Sequence, residues 1–461
     1  MKIKFCGGAG GIVTGSCYLI ETKGKKILVD CGLIHGSKEI EAKNREPFLF
    51  DPKEVNFVLI THAHLDHIGR LPQLIKAGFS GRIFATPPTV DFTRIILEDS
   101  VRVLEEKSGR AGVLPVFAQN EVEHAMKHFE AVEHNETRKL AWGLSFKFQD
   151  AGHILGSAVI TLESEGKKLV FSGDLGNGVM PLTPPPAVLS EADFVFLEST
   201  YGDRNHEAIS ESRGIIENAV EDAVAQKGVL LIPSFALERA QQVIYHLNDL
   251  AERHKIPALP VFVDSPLANA ATEIYRRYSK YWSQEAKEKK TSGDDIFAFP
   301  GLRFTSSGKE SKKINEIEPP KIIIAGSGMS QGGRILHHEV RYLSGKNNIL
   351  LLVTYQAPGT LGRELADGKK TVEILDQETE VLARVEKISG YSSHADQRFL
   401  MDWVRNFQKG TCLKDEKKSG CLKKVFVVHG EEKSSMTLAS LIRDEIGIES
   451  QTPKIGEEII I

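Results

Sequence analysis

Four metal-ligand side chains fall within six residues in the segment Ile60 Thr61 His62 Ala63 His64 Leu65 Asp66 His67 Ile68 Gly69, directly after the apolar run Val55 to Ile60. That run reads as a strand. Residues two apart on an extended chain point the same way, so His62 and His64 can reach one metal ion. The turn that follows swings Asp66 and His67 towards a second. A structural zinc site is closed by cysteines or by four local ligands; this one is not, so further ligands must come from distant positions. The sequence supplies them as His153 in Asp150 Ala151 Gly152 His153, Asp174 in Phe171 Ser172 Gly173 Asp174, and His429 in Val427 Val428 His429 Gly430. Each sits at or just beyond an apolar strand, so chemistry clusters where strands run out.

The rest of the chain is organised around this pattern. From Met1 to about Thr200, short apolar runs such as Lys26 to Asp30, Lys168 to Asp174 and Phe194 to Glu198 alternate with glycine turns and helical periodicity, which predicts a mixed α/β region. From Asn205 to Arg363 the strands become near-continuously apolar, at Val229 to Ile232, Pro260 to Asp264, Lys321 to Ala325 and Ile349 to Thr354. Such strands suit a mostly parallel, doubly wound sheet covered on both faces. After Gly368 short strands return at Val385 to Ser389 and Lys424 to Val428, and a helix is expected over Ser434 to Ile446. The expected division is 1–204, an insert over 205–365, and a return over 366–461.

Other readings bound the function. No apolar run approaches a membrane span, and the N-terminus has Gly7 to Gly11 where a secretion signal needs an apolar core, so a cytoplasmic protein is expected. The same glycines are not followed by a helix, which excludes a dinucleotide fingerprint. The five cysteines, with Cys412 and Cys421 the closest pair, are read as free thiols. With 58 Lys plus Arg against 62 Asp plus Glu, there is no global basic field, so a polyanion would have to be held locally. Lys414 to Lys424 reads as a solvated loop.

The segments HAHLDH, DAGHILGS and FSGDLG, with an upstream strand ending in Asp30, resemble the metallo-β-lactamase fold family. Leu197 Glu198 Ser199 Thr200 Tyr201 Gly202, then Gly390 Tyr391 Ser392 Ser393 His394 Ala395 Asp396, then Val428 His429 Gly430 Glu431 resemble motifs A, B and C of its β-CASP nucleases. The chain is similar to the nuclease subunit of the cleavage and polyadenylation machinery and its compact bacterial and archaeal homologues. Its second motif departs from the usual ribonuclease J framing. The resemblance implies an αββα sandwich with an inserted β-CASP domain. It also implies two Zn2+ ions: His62, His64 and His153 on one, Asp66, His67 and His429 on the other, and Asp174 bridging both. His429 at the third motif favours RNA over DNA within that family.

On this reading a bridging hydroxide attacks phosphorus, and His394 protonates the departing ribose oxygen with Glu198 holding its ring. Asp30 orients a ligand loop. The expected function is a zinc-dependent ribonuclease acting on single-stranded RNA, cutting internally in RNA processing or decay. Rival readings are a 5′ to 3′ exoribonuclease, a single-stranded DNA nuclease, a hydrolase of small esters, and a non-catalytic RNA-binding scaffold. A homodimer follows from resemblance alone. Ser327, Gly328 and Arg334 are candidates for phosphate contact, although glycines there can simply turn the chain. The stretch Tyr275 to Trp282 interleaves bases with aromatics but at helical spacing packs inward more readily than it stacks on RNA. Glu238 stands where the family pattern has glycine, and an acidic side chain beside a polyanion path would alter the substrate route.

Overall fold

The computed structural model describes every residue except 37, 112–114, 208, 358, 389, 391 and 409–420. Its chain forms two compact units. The first comprises Met1–Gly178, Pro185–Asn205 and His394–Ile461, and the second Val179–Pro184 with His206–Ser393.

The first unit contains two seven-stranded sheets. One runs in the order Glu458–Ile460, Lys2–Gly7, Cys17–Thr22, Lys25–Val29, Phe57–Leu59, Arg82–Ala85, Phe129–Ala131; the other Glu449–Gln451, Lys424–Val428, Phe194–Glu198, Lys167–Phe171, Ala158–Ser164, Ser145–Asp150, Thr137–Lys139. Alternation along Lys2–Gly7 buries Ile3 and Phe5, and these join Phe171, Phe196 and Phe426 of the second sheet in one core. The rings of Phe171 and Phe196 stack 4.2 Å apart, and Phe5 lies 5.7 Å from Phe426. The second sheet's other face is covered by the helices Gln397–Arg405 and Glu432–Leu441, through Leu400, Trp403, Val404 and Leu438. On the first sheet's side the helix Pro87–Ala111 packs on Gln119–Lys127 and on the strand Phe129–Ala131. The unit is thus an αββα sandwich, as expected.

Strand direction decides where chemistry can gather. Lys25–Val29 and Phe57–Leu59 are parallel, and so are Lys167–Phe171, Phe194–Glu198 and Lys424–Val428. Parallel strands end together, so the residues that follow them share one edge of each sheet.

The second unit has a six-stranded, all-parallel sheet in the order Leu302–Phe304, Val261–Asp264, Lys321–Ala325, Val229–Pro233, Ile349–Leu352, Arg384–Lys387. The four apolar strands are buried along their whole length. The compact second unit extends past residue 365, where the insert was expected to end. Arg384–Lys387 pairs with Ile349–Leu352, in register from Ile349 with Arg384, so the second unit runs on to Ser393.

Three smaller readings also change or find support. Cys421 is disulfide-bonded, contrary to the expectation of five free thiols; Cys6, Cys17 and Cys31 are free. Cys412 and most of the lysine-rich loop lie outside the described residues. Tyr275, Tyr281 and Trp282 are buried, which supports packing over stacking for that stretch. Among the described residues no helix is long and apolar enough to cross a membrane.

Candidate metal centre

The turn after Phe57–Leu59 is sharp. His64, extended at φ −71° and ψ 148°, caps a single helical turn, Leu65–Ile68, and its carbonyl accepts the N–H groups of His67 and Ile68. Asp66 therefore enters at the first turn and His67 one residue on. The neighbouring chain passes so close that a Cβ on Gly32 would lie 1.7 Å from the carbonyl oxygen of Asp66. Gly173, at φ 55°, gives the same freedom before Asp174.

The predicted ligands converge. His62, His64, His153 and Asp174 form one group whose ligand atoms lie within 4.8 Å of one another, and Asp66, His67 and His429 form another. Asp174 connects them. Its Oδ2 lies 3.3 Å from His62 Nε2 and 3.6 Å from His153 Nε2, while Oδ1 lies 3.3 Å from His67 Nε2 and 3.6 Å from His429 Nε2. His64 Nδ1 is 3.1 Å from both His62 Nε2 and His153 Nε2. A third group, Asp174, Glu198 and His394, adjoins these, with His394 Nδ1 at 3.2 Å from Glu198 Oε1.

A cation fits the donor set. Asp174 Oδ1 is buried and accepts no hydrogen bond. Such an orphaned carboxylate oxygen, ringed by imidazole nitrogens that face one another, is satisfied by a positive charge between them. Without a cation, burial lowers His62 to about 4, aided by charge on His67, and lowers His64 to about 3. These imidazoles are therefore neutral and present lone pairs. For His67 and His429 burial acts downward but is outweighed, by the carboxylates of Asp174, Asp30 and Asp66 in the first case and Asp174 and Asp66 in the second, so both are raised.

Comparison with known proteins agrees with this geometry. Residues 10–83 match the metallo-beta-lactamase superfamily, 240–365 the Beta-Casp domain, and 378–453 the Zn-dependent metallo-hydrolase RNA specificity domain. Ribonuclease TTHA0252 of Thermus thermophilus is 38% identical over 452 residues, covering 98% of each chain. The chain belongs to the β-CASP branch of the metallo-β-lactamase superfamily. An RNase J-like protein of Methanocaldococcus jannaschii is 31% identical over 98% of each chain. Transcription termination factor FttA of Methanosarcina mazei is 30% identical over 95% of this chain and 68% of its own. A crystal structure of a protein of unknown function from Enterococcus faecalis V583 shares the fold at a TM-score of 0.57 and 13% identity, covering 100% of this chain and 99% of that one. The superfamily uses divalent metal, and this β-CASP chain has clusters that could hold it.

Around the ligands, Asp30 is fully enclosed. Its Oδ1 accepts the N–H of Thr61 at 2.8 Å, and Oδ2 accepts Thr61 Oγ1 and lies 2.8 Å from His67 Nδ1. Glu198 accepts from the backbone N–H of Leu175 at 2.7 Å and of Thr200 at 3.2 Å. Burial works against protonation of His394, but the Glu198 carboxylate raises it to about 9. The sequence reading missed Thr61, whose Oγ1 also lies 3.1 Å from His62 Nδ1, and Thr200, whose Oγ1 lies 3.3 Å from His429 Nδ1. Their signal was position alone, a threonine beside a motif ligand.

The three candidate phosphate contacts, Ser327, Gly328 and Arg334, lie in the second unit. Arg334 donates to Asp264 Oδ1 at 2.7 Å and to the carbonyl of Ser306 at 3.0 Å. Ser327 Oγ accepts from the N–H of Gln331, and the Gly328 carbonyl accepts from Thr354 Oγ1 and Gln356 Nε2. A Cβ at Gly328 would sit 3.0 Å from the Phe235 nitrogen, so close packing accounts for this glycine. Glu238 is only 1% exposed, and its carboxylate turns inward.

Proposed function

We propose that this protein is a zinc-dependent ribonuclease that hydrolyses RNA phosphodiester bonds and cuts internally. The observation that carries the reading is Asp174, one oxygen of which faces each of two ligand clusters at 3.3 to 3.6 Å. In support, the matched relatives include one named a ribonuclease at 38% identity over 98% of both chains, and the C-terminal match is to an RNA specificity domain.

His62, His64, His153 and Asp174 would hold one cation, and Asp66, His67, His429 and Asp174 the other. Cations bound there supply Lewis acidity for the phosphate and lower the pKa of water so that it can attack phosphorus near neutral pH. The chain's own residues do the rest. Asp30 fixes His67 through Nδ1 and Thr61 through two hydrogen bonds, holding the ligand turn in shape. Glu198 orients the His394 ring and keeps it protonated, so that Nε2 can give a proton to the ribose oxygen as the phosphorus–oxygen bond breaks.

The test uses purified protein of measured metal content on a long RNA labelled internally and blocked at both ends, beside matching single-stranded DNA and a chelator control. Internal cutting of RNA alone, lost on chelation, is expected. Digestion only after a free 5′ end is supplied would make this an exoribonuclease, and equal cleavage of DNA would overturn the RNA assignment. Inertness with two cations bound would overturn catalysis in favour of a scaffold. His394→Ala is expected to keep both metals and lose about 10²- to 10⁴-fold in cleavage rate.

A further inference from the structure

Glu238 carries two costs that glycine would avoid. Its backbone is left-handed, at φ 62° and ψ −54°, a region that disfavours any residue with a Cβ. Its carboxyl is buried, and that burial raises its pKa to about 7. Costs concentrated at one residue are retained when the surrounding structure uses what the residue supplies.

What it supplies is the anchor of a chain of hydrogen bonds at the start of the helix Arg239–Glu252. Oε2 accepts from the hydroxyl of the fully buried Tyr275, and Oε1 accepts from Gln242 Nε2 at 2.7 Å. The same amide nitrogen lies 2.7 Å from Met180 Sδ. With its nitrogen so directed, Gln242 turns Oε1 to Arg239, whose Nη1 donates at 2.7 Å. The other guanidinium nitrogen, Nη2, reaches Ser393 Oγ at 3.3 Å. Arg239 is itself 5% exposed, so its guanidinium has little water to exchange partners with. Ser393 is joined directly to His394.

We propose that Tyr275, Glu238, Gln242 and Arg239 form a positioning relay that fixes Ser393 and so the backbone from which His394 projects. The relay rests on the reading of His394 as proton donor for its catalytic consequence. It acts on the donor's placement and not on metal binding. Glu238 sets the amide orientation of Gln242, and Gln242 sets the guanidinium.

Glu238→Gly relieves the left-handed backbone but removes both acceptor oxygens, while Arg239→Lys keeps the charge and cannot make both contacts. In each variant metal content and the KM for RNA should stay at wild-type values and kcat should fall about tenfold, the scale of one lost buried hydrogen bond in a catalytic geometry. Hydrolysis of bis(p-nitrophenyl) phosphate should be unchanged, because its leaving group departs as a stabilised phenolate and needs no proton. Glu238→Gln, which keeps one acceptor oxygen, should recover part of the loss. Hydrogen exchange over 392–396 in the metal-loaded protein should quicken severalfold in Glu238→Gly and Arg239→Lys. Equal loss on both substrates would mean general damage and overturn the positioning role. Unchanged exchange in both variants would overturn the relay whatever the substrate. If the wild-type protein cuts no RNA, the ribonuclease reading fails and the exchange measurement still decides the relay.

Discussion

Two buried clusters of carboxylate and histidine, one in each unit, differ in how their polar atoms are satisfied. In the second unit Asp264 is fully enclosed, yet Oδ1 accepts from Thr305 and Arg334, and Oδ2 from Ser311 at 2.6 Å and His338 at 2.8 Å. Burial would raise that carboxyl, but these hydrogen bonds hold it well below the usual range. In the first unit Asp174 is equally buried and Oδ1 accepts nothing, while imidazole nitrogens confront one another across about 3 Å. A closed polar network holds a fold together, and an open one of the same composition asks for a ligand. Residue type alone does not separate the two.

The largest effect should come from removing the carboxylate that joins the ligand groups. Asp174→Ala is expected to lose metal from both clusters and RNA cleavage by more than about 10³-fold, as for one member of a cooperating set. It should also lose the rise in Tm that zinc gives the wild-type protein, worth about 2.7 kcal/mol at a hundredfold excess over Kd. Metal analysis, calorimetry with and without chelator and the blocked-RNA assay read the three together. Full metal content in the variant would remove the contrast with Asp264.

The converse experiment is Asp264→Ala. Four donors lose their acceptor at once, so the second unit should be destabilised by about 3–5 kcal/mol, the usual penalty for breaking a buried charged network from one side. Metal content should not change. A variant of wild-type stability, or one that loses zinc, would show that the Asp264 cluster is not the closed structural network described above.

This contrast explains what could be read from the sequence. His62, His64, Asp66 and His67 lie within six residues, and a strand followed by a tight turn leaves few ways to point them. His153, Asp174 and His429 stood out because each follows an apolar strand. The proximity of Glu198 to His394 came from resemblance, since 196 residues separate them and neither spacing nor periodicity joins them. The link from Arg334 to Asp264 could not be read, because Asp264 lies 70 residues earlier at the end of a strand. The strand Arg384–Lys387 was assigned to the returning segment because an edge strand of mostly charged residues carries no pattern that names its sheet. Glu238 stood out only as an acidic residue in place of a glycine, and the positions of Tyr275 and Gln242 reveal why it turns inward.

The smallest effect sharpens the comparison within the second unit, where one carboxyl is buried without a closed network. Glu339 accepts from Ser330 Oγ at 2.5 Å through Oε1, while Oε2 is buried and lacks a hydrogen-bond partner. Burial raises its pKa from 4.5 to about 8, so the folded protein holds a proton there that the unfolded chain releases. Because the folded state then binds more protons, stability present below pH 4.5 is lost progressively as pH rises towards 8. Glu339→Gln keeps the shape and cannot ionise, so its Tm should fall less than that of the wild-type protein between pH 5 and 8. A difference of a few degrees is expected, on the scale of about 2–4 °C per kcal/mol for a unit of this size. Glu238, also raised, contributes a drift of the same sign to both proteins and cancels in the difference. Parallel Tm curves would mean that Oε2 is solvated or paired after all, and that an open carboxylate oxygen in the second unit is not equivalent to the one on Asp174.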